Sequence, residues 1–282
     1  MIDMRWLAAL SACILAVSSA SARDSLALSW SRKPVDGRIT GVKSAGADNV
    51  AEAMGYVSRG RYHSPSGKVY GRKSSVTKAA SLMIDAQESM KEVKQVIAFS
   101  TEAMLKAYPE SSLSNWFIDA LMASVSELSG KKVDIGFTNF GGIRVDMPEG
   151  EVLLDDILSM FPFRNNLCYL ELKGRDVRAI LEQMASTGWQ VVGGVRCKST
   201  RSGRLLSAEV DGEPLDDEKV YGVATISFLL DGGDGYSIAK NALRQDIHPQ
   251  IIIDVMLPYI KSLTAAGKNI EYSKDGRVVI ID

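Results

Sequence analysis

The sequence has little histidine, little cysteine and almost no net charge, and each shortage excludes a class of function. Its 282 residues contain two histidines, His63 and His248, and neither has a Cys, Asp or Glu at metal-ligand spacing. A two-metal hydrolase site needs several His, Asp and Asn side chains that converge on the ions, and two isolated histidines do not supply them. The formal net charge of −1 gives no electrostatic basis for binding DNA or RNA.

Several catalytic sequence motifs are also missing. The chain contains no G-x-S-x-G elbow, no Walker loop and no H-E-x-x-H segment. A Ser-His-Asp triad is compatible with the residue counts, but no spacing points to one. The sequence therefore offers no complete catalytic machinery of these kinds.

An apolar stretch stands apart at the N-terminus. Arg5 precedes an apolar run at 6–17, and Ala20 and Ala22 occupy the small-residue positions of a cleavage site. This pattern predicts a signal peptide at 1–22 and a periplasmic or secreted protein, because the run is too short to span a membrane. Residues 10–13 also have the form of a lipobox, so a membrane-anchored lipoprotein attached through Cys13 is the alternative.

The cysteines left after such cleavage are Cys168 and Cys197. An oxidising compartment permits a disulfide between them, whereas alternating strand patterns around them favour two buried free thiols. Both interpretations stay open at this stage.

Residues 23–95 are expected to form a small N-terminal extension and a linker helix. Its segment 56–75 carries five Lys or Arg side chains and no acid, which is typical of a solvated loop; a contact for a partner protein is the alternative. Farther on, one helix face is predicted to belong to the core, with Thr77 as its cap. The members of that face are Ala79, Met83, Ala86, Met90 and Val93.

Residues 96–282 are expected to form one domain of α+β class, a mixed α/β sheet with flanking helices. Periodicity and turn residues predict the following elements: strands at 96–99, 133–138, 166–173, 224–229 and 277–281, helices at 113–128, 177–184 and 251–263, and a β-meander at 191–223. Ser112 is the expected cap of the helix at 113–128, and Gly130 its end. Pro258 is expected to bend or interrupt the last helix.

The first glycine-rich loop, residues 138–144, follows a predicted strand. Its paired glycines let the backbone turn sharply and approach a ligand. Asn139 can hydrogen-bond a base edge, and Arg144 can clamp a phosphate with two parallel bonds. Taken alone, this loop is equally typical of a turn with a surface arginine.

Two further loops carry an aromatic residue, and one of them also carries a carboxylate that can bind hydroxyl groups. Residues 161–165 place Phe163 beside a proline, and residues 228–236 place Phe228 six positions before Asp234 across a flexible turn. Either phenylalanine alone is typical of a core residue. Together the three loops predict a base between two rings, a sugar held by a carboxylate and a phosphate near the arginine.

These loops, in this order and with 172–174 and 110–115 around them, resemble the C-terminal domain of the 5′-nucleotidase family over about 96–281. The resemblance implies a domain that binds the base and sugar of a nucleotide. It assigns Phe163 and Phe228 to stacking on the base, Asn139 to a contact with the base, Asp234 to the ribose hydroxyls and Arg144 to the phosphate. In the complete enzymes an N-terminal metallophosphatase domain supplies two metal ions.

The sequence departs from that pattern in two ways. Residues 23–95 are too short and too poor in histidine to replace a metallophosphatase domain. Complete enzymes often have a further phosphate-binding arginine before the 110–115 segment, where this chain has Lys106. The leading hypothesis is therefore the nucleotide-binding half of a split, secreted 5′-nucleotidase, inactive alone.

That hypothesis expects no cofactor in this chain and divalent metal ions in a separate metallophosphatase chain. The substrate would be a nucleoside monophosphate or a related nucleotide. The alternatives are a non-catalytic module that binds nucleotides or nucleosides, and a protein-interaction module in which the two phenylalanines pack into the core.

Overall fold

The computed structural model of the protein describes residues 44–282. The predicted signal peptide at 1–22, Cys13 and the first part of the 23–95 extension lie outside the described residues.

The segment that was predicted to be a basic loop folds into a small sheet, so that interpretation is wrong for its strand residues. Helix α1 (Val50–Met54) precedes strands β1 (Tyr56–Ser58), β2 (Arg61–His63) and β3 (Val69–Tyr70). The three strands pair antiparallel in the order β1-β2-β3. Cross-strand ring stacking explains the pairing, because Tyr56 stacks on His63 with ring centroids 4.7 Å apart.

Helix α2 (Ser75–Ser89) exists as predicted, but its orientation contradicts the core assignment of its apolar stripe. Ala79 and Met83 are exposed, and the buried side chains of this helix are Thr77 and Gln87. The cap also differs from the prediction: the side chain of Ser74, not Thr77, accepts a hydrogen bond from the backbone of the first turn.

The remaining helices and strands follow in the order expected for a mixed fold, and the α+β prediction is confirmed. The elements are β4 (Val96–Ser100), α3 (Ser112–Ser129), β5 (Ile135–Thr138), β6 (Gly150–Leu153), α4 (Leu154–Met160), β7 (Asn166–Lys173), α5 (Gly174–Thr187), β8 (Val191–Gly193), β9 (Val195–Thr200), β10 (Leu205–Val210), β11 (Glu213–Pro214), β12 (Val220–Ile226), β13 (Arg244–Ile251), α6 (Ile252–Ala265) and β14 (Val278–Ile281).

A five-stranded sheet in the order β13-β7-β12-β5-β8 forms the centre of the fold. All its neighbouring strands are antiparallel except β12 and β5, which run parallel. Helix α3 packs on this sheet and buries Trp116, Phe117 and Leu121 completely or nearly so. It begins one residue earlier than predicted, with Ser111 as its cap, and ends at Gly130 in the left-handed conformation, as predicted.

A second sheet has four strands in the order β11-β10-β9-β14. The predicted β-meander therefore divides between two sheets, because β8 and β12 pair within the central sheet. Strands β4 and β6 form a separate antiparallel pair. Cys168 lies on β7 and Cys197 on β9, and both are buried free thiols rather than a disulfide.

Candidate functional site

The three loops that carry the candidate binding residues lie at one edge of the central sheet. Strands β5 and β12 are parallel, so the loops that follow them, with Asn139 and Phe228, leave from the same edge. Strand β7 runs antiparallel to β12 and starts at that edge, three residues after Phe163. The backbone N–H of Asn166 donates to Ser227 Oγ at 3.0 Å and ties the second loop to the third. The topology thus explains why residues far apart in sequence assemble here.

Asn139 and Asp234 are in direct contact. Asn139 Nδ2 donates to Asp234 Oδ2 at 2.6 Å across 95 positions of sequence. Asn139 is buried and its Oδ1 has no hydrogen-bond partner in the described part of the chain, whereas Asp234 is exposed. A buried acceptor of this kind is satisfied by a donor on a ligand or by water. The pair therefore combines an exposed carboxylate with a buried amide oxygen that has no partner in the described part of the chain.

Glycine is required where these loops come close to each other. A Cβ on Gly233 would lie 1.9 Å from the carbonyl oxygen of Phe228, and a Cβ on Gly142 would lie 2.9 Å from Asn139 Oδ1. A larger residue at Gly233 would displace the backbone of the loop, and one at Gly142 would displace the side-chain amide of Asn139. The glycines thus set the positions of the ring and of the amide.

The third loop is fastened to the end of helix α5. Gln183 Nε2 donates to the carbonyl oxygen of Gly235 at 2.9 Å, and Tyr236 Oη lies 3.2 Å from Thr187 Oγ1. Tyr236 is buried, and burial raises the pKa of its hydroxyl. The backbone of Asp234 is in the left-handed conformation with φ of 50°, so these anchors hold the loop in a conformation that few residues other than glycine adopt.

The two phenylalanines are surface residues and not core residues. Phe163 is 44% exposed and Phe228 is 42% exposed. The guanidinium carbon of Arg144 lies 5.8 Å from the centre of the Phe163 ring, and Arg144 Nη1 donates to the carbonyl oxygen of Gly141 at 3.2 Å. An exposed ring and an exposed cation are therefore neighbours, as a ligand with a base and a phosphate requires.

Lys106 forms hydrogen bonds with the backbone of the first loop. Its Nζ donates to the carbonyl oxygens of Ile143 at 2.7 Å and Phe140 at 3.3 Å. The sequence places this lysine where complete enzymes often have a phosphate-binding arginine, and in the structure it contacts the backbone of the loop. Two further supporting residues were missed: Gln190 Oε1 accepts from the backbone of Phe140 at 3.0 Å, and the exposed ring of Tyr108 lies 4.3 Å from the Phe140 ring.

Residues 44–282 contain no cluster of three or more His, Cys, Asp or Glu side chains that fits a metal ion. His63 is engaged in its stack with Tyr56, and His248 lies on β13. The described residues therefore do not fit the metal pair that the resemblance assigns to complete enzymes.

Comparison with protein families decides the classification. The model of the family described as 5′-nucleotidase, C-terminal domain, matches residues 89–241, which is more than half of the chain. The chain belongs to the 5′-nucleotidase C-terminal domain family. This match covers all three loops and the five candidate residues within them.

Similar proteins include two bacterial ones of greater length. A trifunctional nucleotide phosphoesterase protein of Bacillus subtilis is 27% identical over 184 residues, which are 60% of this chain and 12% of that protein. A cell wall protein of Listeria monocytogenes is 33% identical over 205 residues, which are 66% of this chain and 26% of that protein. The chain thus corresponds to a minor part of the length of these relatives.

Solved structures show the same fold. A 5′-nucleotidase precursor of Thermus thermophilus matches with a TM-score of 0.64 and 28% identity, over 73% of this chain and 43% of that one. A sulfate thiohydrolase of a Thermus species matches with a TM-score of 0.54 and 19% identity, over 73% of this chain and 39% of that one, which shows the fold alone.

Among the described helices, none is long and apolar enough to cross a membrane.

Proposed function

We propose that this chain binds a nucleoside monophosphate or a related nucleotide, as the substrate-recognition part of an exported 5′-nucleotidase-type hydrolase. The observation that supports the proposal most is that the loops carrying two exposed rings, one arginine and the Asn139–Asp234 pair all lie at one edge of the sheet. Membership of the family and the names of the similar nucleotide phosphoesterases agree with it.

Each residue has a distinct task in this proposal. Phe163 and Phe228 stack on the base, and one ring is worth about 1–3 kcal/mol in such contacts. Asn139 uses its unpaired Oδ1 to accept from the base, and Asp234 accepts from the ribose hydroxyls. Arg144 lies beside Phe163 and pairs with the phosphate.

The hydrolytic step is assigned to a separate polypeptide. We infer a metallophosphatase chain that carries the divalent metal ions, because residues 44–282 have no cluster of ligands to hold them. The contribution of this chain is then binding and orientation: it fixes the base and sugar so that the phosphate points towards the partner. A non-catalytic binding module would use the same residues without that partner.

Export is part of the proposal. The arrangement of the first 22 residues is the main support for a periplasmic or secreted chain, with attachment through Cys13 as the alternative. The resemblance to a protein named for the cell wall agrees with a location outside the cytoplasm.

Calorimetric titration with adenosine, AMP and UMP tests the binding site. We expect Phe163→Ala and Phe228→Ala each to weaken binding of adenosine by about 10-fold or more, because each removes one stacking surface. Phe99→Ala is the matched control: Phe99 is 48% exposed, but it lies on β4, outside the central sheet, and its loss should leave affinity unchanged.

A phosphate-release assay with added Mn²⁺ or Co²⁺ separates the binding role from catalysis. Binding that depends on the two rings, without release of phosphate by this chain alone, supports a recognition half. Metal-dependent turnover by the chain alone contradicts the assignment of the hydrolytic step to another polypeptide. Affinity that survives both ring substitutions contradicts the proposed site itself.

A further inference from the structure

The small sheet β1-β2-β3 lies in a strongly basic stretch of the chain. Residues 53–84 contain six Lys or Arg side chains and no Asp or Glu, although the whole chain has a formal net charge of −1. The rest of the chain is therefore net acidic, and the positive charge is concentrated in one small part of the sequence. An asymmetry of this kind directs that part of a protein towards an anionic partner.

The register of the strands divides the side chains of this sheet between two faces. Tyr56 pairs with His63, and His63 pairs with Val69, so these three side chains lie on one face. Arg61 lies on the same face, because it is two positions before His63 on β2. Tyr62 lies on the opposite face, and its hydroxyl donates to the backbone of helix α1 at 2.7 Å. The face that carries Arg61 is therefore the outer face of the sheet.

Four exposed cations surround the outer face. Arg59 lies in the turn between β1 and β2, and Arg61, Arg72 and Lys73 line one open cavity of about 570 Å³ beside Val69. Arg72 Nε donates to the carbonyl oxygen of Arg59 at 2.7 Å, which holds this guanidinium close to the turn. The fold thus brings together cations from two separate segments of the chain.

These cations have no counter-charge of their own. In the part of the chain that the structure describes, none of the four forms an ion pair with a carboxylate. The first turn of helix α2, which follows Lys73, has no acidic residue either. Because like charges held together repel one another, an anionic surface that neutralises them is favoured to bind here.

The side chains between the cations distinguish among anionic partners. Tyr56 is 52% exposed and Val69 is 50% exposed on the outer face. An aromatic ring and an aliphatic side chain beside arginines fit the headgroup layer of a bilayer, where rings lie among the headgroups and arginines pair with phosphates. A polynucleotide would instead stack its bases on free rings, and one side of the Tyr56 ring is already stacked on His63 with ring planes 6° apart.

From these features we propose that the outer face of the β1-β2-β3 sheet docks on a bilayer that contains anionic phospholipid. The four cations pair with lipid phosphates, and Tyr56 and Val69 lie among the headgroups. Each cation near such a surface strengthens binding by about 5-fold, so half of the chain is expected to be bound at on the order of 1 mM accessible lipid. This inference does not depend on the proposed nucleotide site.

Co-sedimentation of the full chain with phospholipid vesicles tests the docking. One set of vesicles contains phosphatidylglycerol and phosphatidylcholine in equal parts, and the other contains phosphatidylcholine alone. Cys13→Ala is present throughout, so that no lipid anchor contributes to binding. We expect binding to the anionic vesicles in about 50 mM NaCl and its loss in about 500 mM NaCl, because salt screens exposed charges.

Two double variants locate the binding surface. Arg61→Gln with Lys73→Gln should weaken binding to the anionic vesicles by about 30-fold, which corresponds to about 1 kcal/mol for each cation. Arg204→Gln with Lys240→Gln is the matched control, because it removes the same charge from exposed side chains outside the sheet, and it should bind like the parent. Circular dichroism establishes that both variants fold, as the exposure of the four side chains leads us to expect.

Three outcomes would overturn the proposal. The first is a parent chain that binds the anionic vesicles no better than the neutral ones. The second is equal weakening by the two double variants, which would trace binding to overall charge and not to the outer face. The third is tighter binding of single-stranded oligothymidylate than of vesicles, lost in the Arg61 and Lys73 variant, which would assign the face to a polynucleotide.

Discussion

At the scale of single residues, the contact between Asn139 and Asp234 is the central feature of the site. The two side chains come from loops that follow parallel neighbouring strands, and their bond of 2.6 Å fixes the carboxylate beside the amide. One amide proton is used in this bond, while the amide oxygen remains unpaired in the described part of the chain. The pair therefore offers the exposed carboxylate of Asp234 to a ligand that brings donors, as ribose hydroxyls do.

Asp234→Asn should remove the discrimination between a ribose and a sugar without hydroxyls. A hydrogen bond to a charged group contributes about 1.5–3 kcal/mol, so we expect the parent chain to bind adenosine at least about 10-fold more tightly than 2′,3′-dideoxyadenosine. The variant should bind both ligands with similar, weakened affinity, as measured by calorimetry. Asp231→Asn, in the same exposed loop, is the control and should retain the preference. A preference that persists in Asp234→Asn would assign the hydroxyls to another group.

The role of a single residue could be predicted from the sequence where its residue type strongly favours one structural position. Gly130 was predicted to end α3 and does so with φ of 64°. The five candidate binding residues were selected through the family resemblance, and the structure brings together the pairs Asn139 with Asp234 and Arg144 with Phe163. Their roles remain predictions. Gln190 was missed because its contact with Phe140 depends on the pairing of β5 and β8, which leaves no local signal.

At the scale of elements, the attachment of the last strand, β14, depends on one buried carboxylate. Glu110 Oε1 accepts from Asn115 Nδ2 at 2.8 Å and from the backbone of Asp275 and Gly276 at 2.9 and 3.1 Å. Its Oε2 accepts from the backbone of Val278 at 3.3 Å. Because four donors converge on a group that is only 8% exposed, this side chain connects the start of α3 to the C-terminal strand.

Glu110→Ala should destabilise the fold by roughly 2–4 kcal/mol, since it leaves four donors without their acceptor in a buried place. Urea unfolding at neutral pH, followed by circular dichroism, measures the change. Glu149→Ala removes an exposed carboxylate instead and should alter the free energy of unfolding by no more than about 0.5 kcal/mol. Equal effects of the two substitutions would contradict the structural role of Glu110.

Helices and strands could be predicted from the sequence where the spacing of their apolar residues reflects burial. Where the spacing does not reflect burial, they were missed or misinterpreted. Helix α3 and strand β7 carry continuous buried residues and were located within a few positions. Strand β13 was missed because it is an edge strand with charged residues and a proline at 244–251, so its sequence has no apolar alternation. The periodicity of α2 correctly indicated a helix with an apolar stripe, but periodicity does not state what that stripe faces.

At the scale of the whole molecule, the burial of ionisable groups makes the free energy of unfolding depend on pH in the alkaline range. Burial raises the pKa of the Cys168 and Cys197 thiols to about 12. It also raises the pKa of Tyr169, Tyr236 and Tyr259 above the usual value of a phenol. The folded chain thus retains protons that the unfolded chain releases at lower pH.

The higher pKa of the thiols in the folded state should make the chain less stable as the pH rises. Above a pH of about 9 the unfolded state loses its thiol protons while the folded state keeps them until about 12, so the free energy of unfolding should fall as pH rises through this window. Urea unfolding at about pH 7, 9.5 and 10.5 measures the decline. The double variant Cys168→Ala, Cys197→Ala should be less stable at pH 7 because of the cavities, yet its stability should decline less steeply above pH 9. A stability that stays level or rises between pH 9 and 10.5 would contradict the burial of these groups, since water-accessible thiols would titrate alike in both states.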